Sequence, residues 1–159
     1  MRTLANKPLR ADVAAGILAG VVGFVVIVMI WTTLVFPAPI VLGGGSTLTG
    51  NNISLTEHEW GFAQFAKGGP KICAVAGQSV NITLSNTGQN LHGFQIVYAG
   101  NFTRVDGQGL NSTDLLTPLG PPRHITIHIT QPGTYYYICP VPGHRLKGMI
   151  APCVVQSSC

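Results

Sequence analysis

Apolar and polar positions along this chain fall into two regimes. Residues 13–56 carry no charge, and within them 14–36 reads AAGILAGVVGFVVIVMIWTTLVF, 23 almost wholly apolar positions. A helix rises about 1.5 Å per residue and needs about 20 residues to cross a hydrocarbon layer, so this run is long enough to span. Trp31 lies near its far end, where indoles favour the interface. A cleaved leader has an apolar core of only about 7–15 residues, and no small-x-small processing site follows Phe36. The pattern predicts a retained anchor over 13–37, after a short cytoplasmic N-terminus at 1–12.

Beyond the anchor the period changes. Residues 38–52 are rich in Pro, Gly, Ser and Thr and predict a flexible linker. From 53 to 159 the apolar runs are short, β-branched or aromatic, and divided by Gly, Pro and Asn. ISLTEHEWGFAQF alternates loosely, and KICAVAGQSVNITLSNTG reads as two strands around the turn AGQ. LHGFQIVYAG predicts a strand opening at His92. In HITIHIT, Ile125, Ile127 and Ile129 share one face, with His124, Thr126 and His128 on the other. GTYYYIC and GMIAPCVVQ complete the set, while 100–122 has little pattern and reads as a long loop or short helical turn. Outside the anchor no 12-residue stretch has helical period. The expected fold class is all-β, a two-sheet sandwich behind one transmembrane helix.

Charge adds orientation. Only 9% of residues are charged, against about 25% in ordinary globular chains. Arg2, Lys7 and Arg10 precede the span, and the first base after it is Lys67. The positive-inside rule then exports the domain. Sequons at Asn52, Asn81, Asn101 and Asn111 agree with export. So sparse a charge also suits an acidic exterior. The net charge of +4 comes without a basic run or aromatic-basic interleaving, so nucleic acid is not an expected partner.

The chemistry concentrates in YYYICPVPGHRLKGM, where Cys139, His144 and Met149 follow one another at intervals of five. Prolines and glycines separate them, so a loop rather than a helix is expected to set the spacing. A thiolate, an imidazole and a thioether suit copper, whose mononuclear sites of this type add a second histidine. His92 is the best choice for it, at a strand end expected near the same pole. His58 is given no role, and His124 and His128 are read as a solvated strand face. In an oxidising exterior the default for Cys73, Cys139, Cys153 and Cys159 is two disulfides. With Cys139 on metal, Cys73–Cys153 and Cys73–Cys159 both stay open.

Together these residues resemble the cupredoxins, or blue copper proteins, over about residues 50–156. CPVPGHRLKGM is similar to the ligand loops of rusticyanin and auracyanin and most of all to sulfocyanin, the membrane-anchored archaeal form. The resemblance implies a Greek-key sandwich holding one copper ion on His92, Cys139, His144 and Met149. It implies outer-sphere electron transfer between redox proteins of a respiratory chain, no small-molecule substrate, and no catalysis. It further implies that the His144 ring edge reaches the surface within an apolar collar of Val141, Pro142, Leu146 and Gly93. The chain also resembles subunit II of haem-copper oxidases through EWGF and GHRLKGMI. A dinuclear centre of that kind needs a second cysteine, and Gly143 stands in its place. A resident subunit of a terminal oxidase complex, with a docking or assembly role, is the alternative reading.

Overall fold

A computed structural model describes residues 45–111 and 113–159, with Val22 and Phe24. The chain divides into two units, Met1–Pro39 and Ile40–Cys159. In the first, Val22 and Phe24 are helical and exposed; the rest of the expected anchor lies outside the described residues. Among the described residues no helix is long and apolar enough to cross a membrane.

The described residues of the second unit form ten strands and one helical turn. They are β1 (Thr47–Leu48), β2 (Asn52–His58), β3 (Gly61–Phe62), β4 (Lys71–Val75), β5 (Ser79–Asn86), β6 (Gln95–Tyr98), β7 (Arg104–Gly109), β8 (Arg123–His128), β9 (Gly133–Ile138), α1 (His144–Lys147) and β10 (Ile150–Gln156). One sheet runs β1-β4-β10-β9-β6-β7 and the other β3-β2-β5-β8. Alternation decides which side chains face inward. Ile53 and Leu55 of β2, Val80, Ile82 and Leu84 of β5, and Ile127 of β8 meet Ile72, Ile96, Tyr135, Tyr137 and Val155 of the other sheet in one core. The outer row of β2, β5 and β8 is hydroxyl, amide and imidazole. There Thr83 Oγ1 lies 3.1 Å from His124 Nδ1, and Ser79 Oγ lies 3.4 Å from His128 Nδ1.

Four local expectations change. Within the expected linker, Thr47–Leu48 pairs in parallel with β4. Within 100–122, Arg104–Gly109 pairs with β6 as an edge strand; it is mostly half-exposed and carries two glycines, so it shows no apolar alternation. The strand expected from His92 begins at Gln95, and His92 instead forms an isolated bridge to Leu116. The loop after Cys139 contains one helical turn, which four residues are too few to announce by periodicity.

Cys73 is bonded to Cys159, with Cα atoms 5.9 Å apart. Register decides between the two pairings left open. Cys73 sits opposite Val154 in the parallel β4–β10 pair, whereas Cys153 sits opposite Ile72. Neighbouring positions of a strand face opposite ways. Cys153 therefore points into the main core with Ile72 and Ala74, and Cys73 points out toward the chain's last residues.

Candidate metal centre

Gln95, Ile138 and Ile150 lie in register across the adjacent strands β6, β9 and β10. His92 comes three residues before that rung, Cys139 one residue after it, just past the end of β9, and Met149 one residue before it, just ahead of β10. All three are thus carried to one end of the sheet, and α1 brings His144 back to it. Loop hydrogen bonds hold the placement. The His92 N–H donates to Leu116 O (3.1 Å), and the Leu116 N–H donates to His92 O (2.8 Å). The buried Asn86 amide donates to Leu116 O and Asn90 O and accepts from the Gly88 N–H. The Cys139 N–H donates to Met149 O, and the Met149 N–H to His144 O. Gly143, at φ 84°, turns the chain into α1 in a conformation that favours glycine.

Cys139 Sγ lies 3.5 Å from His144 Nδ1 and 4.0 Å from His92 Nδ1. The three donor atoms all fall within 4.8 Å of one another. Bonds of roughly 2.0–2.3 Å at trigonal angles around a common ion would put nitrogen and sulfur roughly 3.7 Å apart, so these side chains fit one ion. His92 and Met149 are fully buried, and Cys139 and His144 nearly so. Met149 adjoins both Cys139 and His144 through its backbone. His144 is 8% exposed, and Trp60 packs edge-on against it at 5.2 Å between ring centres.

Electrostatics favour neutral imidazoles and a thiol awaiting a cation. Burial pulls His92 down, helped by His144, while Glu59 opposes the shift. Burial and Lys147 pull His144 down. Burial pushes the Cys139 thiol up to about 12, against backbone N–H groups of Val141 and Gly93 that favour the thiolate. A buried thiol so reluctant to ionise alone is one that a bound cation would deprotonate.

The remaining histidines stay apart from this cluster. His58 Nε2 lies 2.8 Å from Ala63 O, and His124 and His128 are on the exposed face of β8. Sequence reasoning passed over Glu57, Glu59 and Trp60. Glu57 occupies an apolar position in the β2 alternation, a readable signal. Nothing in the sequence shows that Glu59 and Trp60 approach the imidazoles.

No protein-family model matches the chain, and no curated protein does. Solved structures do. Dithionite-reduced auracyanin from Roseiflexus castenholzii aligns at TM-score 0.53 and 23% identity over 70% of this chain and 98% of its own. The copper protein rusticyanin aligns at 0.51 and 26%, covering 72% and 86%. Rusticyanin from Thiobacillus ferrooxidans aligns at 0.50 and 25%, again covering 72% and 86%. The chain has the fold of the cupredoxins, with His92, Cys139, His144 and Met149 gathered at one end of its sandwich.

Proposed function

We propose that this chain is a mononuclear blue copper protein that carries single electrons, tethered on the outer face of a cell membrane and serving redox proteins of a respiratory chain. The observation that carries the reading is the buried convergence of Cys139, His92 and His144 donors within 4.8 Å, beside Met149. Copper supplies a one-electron couple between Cu(I), which prefers sulfur, and Cu(II), which prefers nitrogen. The chain's own residues keep a compromise geometry in both states. Pro140 and Pro142 fix two φ angles of the ligand loop. Gly93 lies against Leu115 and Pro140, where an added Cβ would approach them to 2.7 and 3.2 Å. Four protein donors leave no coordination position for a substrate, which favours a carrier over an enzyme. The reduced state in which the auracyanin was crystallised supports a redox role.

Docking follows from the surface around the site. Leu115, Pro140, Val141 and Pro142 line an apolar depression of about 120 Å³, and Leu146, in the same turn as His144, is 75% exposed. Such a patch suits brief, small redox encounters. Arg145 rests over the Phe102 ring at 4.5 Å and Lys147 over Trp60 at 3.9 Å, so both cations are held next to the site and favour an acidic partner. The uncharged run over 13–37 and the likeness of the ligand loop to sulfocyanin support the tether.

The test is a visible spectrum of the full-length chain, copper-loaded in detergent, beside Cys139→Ser. An intense thiolate-to-copper band lost in the variant is expected; a colourless chain that takes up no copper would sink the reading. Copurification from native membranes then separates a mobile carrier from a fixed oxidase subunit.

A further inference from the structure

One turn touches both imidazoles from outside the donor set. Glu59 and Trp60 join β2 to β3, with the Ala63 carbonyl 2.8 Å from His58 Nε2 across the turn. Because His92 Nδ1 faces the thiol, its Nε2 faces the other way, buried and without a hydrogen-bond partner. The facing charge is Glu59 Oε1, 3.8 Å off, too long for a hydrogen bond but close for a charge. That same oxygen accepts from the N–H groups of Gln89 and Asn90 and from the Asn90 amide. Glu59 thus ties the end of β2 to the loop that delivers His92. Gly88 leaves room for it, since a Cβ there would stand 2.7 Å from both carboxylate oxygens.

Trp60 is held at φ 69°, in the left-handed region that non-glycine residues rarely adopt. The conformation puts its ring edge-on to His144 at an interplanar angle of 86°, with Lys147 over the same ring.

We propose that this turn positions and tunes the metal centre: the Glu59 carboxylate fixes the His92 ring and favours the more highly charged metal state. The inference rests on the copper reading above. With Nδ1 on the metal, His92 carries its proton on Nε2, facing the carboxylate, the arrangement by which outer carboxylates orient and enrich ligating imidazoles. A fixed negative charge there stabilises Cu(II) more than Cu(I) and so opposes reduction.

Glu59→Gln keeps an acceptor oxygen for Gln89 and Asn90 and removes only the charge. In the copper-loaded full-length chain, the equilibrium constant for reduction by a fixed mediator should rise roughly three- to tenfold, less at high salt. Glu59→Ala should add faster amide exchange over residues 88–92 in the metal-free protein, and Glu59→Asp should restore part of both effects. A loaded wild-type chain whose reduction equilibrium is unmoved by Glu59→Gln overturns the tuning role alone. Unchanged amide exchange in Glu59→Ala overturns the positioning role. A wild-type chain that loads no copper overturns the function itself, and the tuning role with it.

Discussion

Glu57 shows how far one residue departs from its pattern. It occupies the inward row of β2 behind Ile53 and Leu55, fully buried, with neither carboxylate oxygen hydrogen-bonded. Burial pushes it up to about 8, since an unpaired carboxylate away from water is far costlier than the neutral acid. Tyr137 of β9 and Cys139 just past that strand face it, and its charge would raise both; its strand partners Phe62 and Asn86 are uncharged. The folded chain therefore holds a proton that the unfolded chain releases above 4.5. Its stabilising effect is complete below that pH and is lost at up to about 1.4 kcal/mol per pH unit on the way to about 8. His92 and His144, pulled below 6.5, act oppositely as pH falls under that value, so the clean window is pH 6.5–8. In the metal-free protein, urea midpoints should fall across that window, and Glu57→Gln should flatten the fall. Parallel profiles for the two proteins would mean that the acid ionises at its ordinary value.

Among the elements, β4 and β10 depend on a covalent tie at their outer face. The Cys73–Cys159 bond spans a sequence separation of 86, and closing so long a loop removes much of the unfolded chain's freedom. Cys73→Ser should lower stability by about 2–5 kcal/mol, read as a drop in melting temperature that reductant reproduces in the wild type. A wild type indifferent to reductant would show that the bond contributes nothing. Strands with regular alternation, β2, β5, β8 and β9, were legible from the sequence. The edge strand β7 was not, because an element exposed along its length has no buried face to mark it. The Cys73 partner was not legible either, because a one-residue register step separates the two faces of β10.

At the scale of the whole molecule, charge is scarce, and what there is stands out near the metal centre. Arg145 and Lys147 of α1 are pinned on Phe102 and Trp60. Long-range attraction changes encounter rates more than final affinity. The copper-loaded chain should therefore react faster with an anionic one-electron reagent such as ferrocyanide than its Arg145→Glu/Lys147→Glu variant does. A gap of roughly tenfold at low ionic strength should close as salt is added. Equal rates at low salt would remove these cations from the docking surface.

Residue order alone determined the all-β class, the uncharged run of membrane-spanning length, and the three donors of the ligand loop, because periodicity, hydropathy and short spacing are local properties. That His92 meets Cys139 across 47 positions rested on an expected fold, and closure of the two sheets supplies the contact. Tertiary structure alone decided that Cys73 reaches Cys159 and that Glu59 and Trp60 lean on the two imidazoles. Each of these depends on register and on packing between strands distant in sequence, which no short window of residues contains.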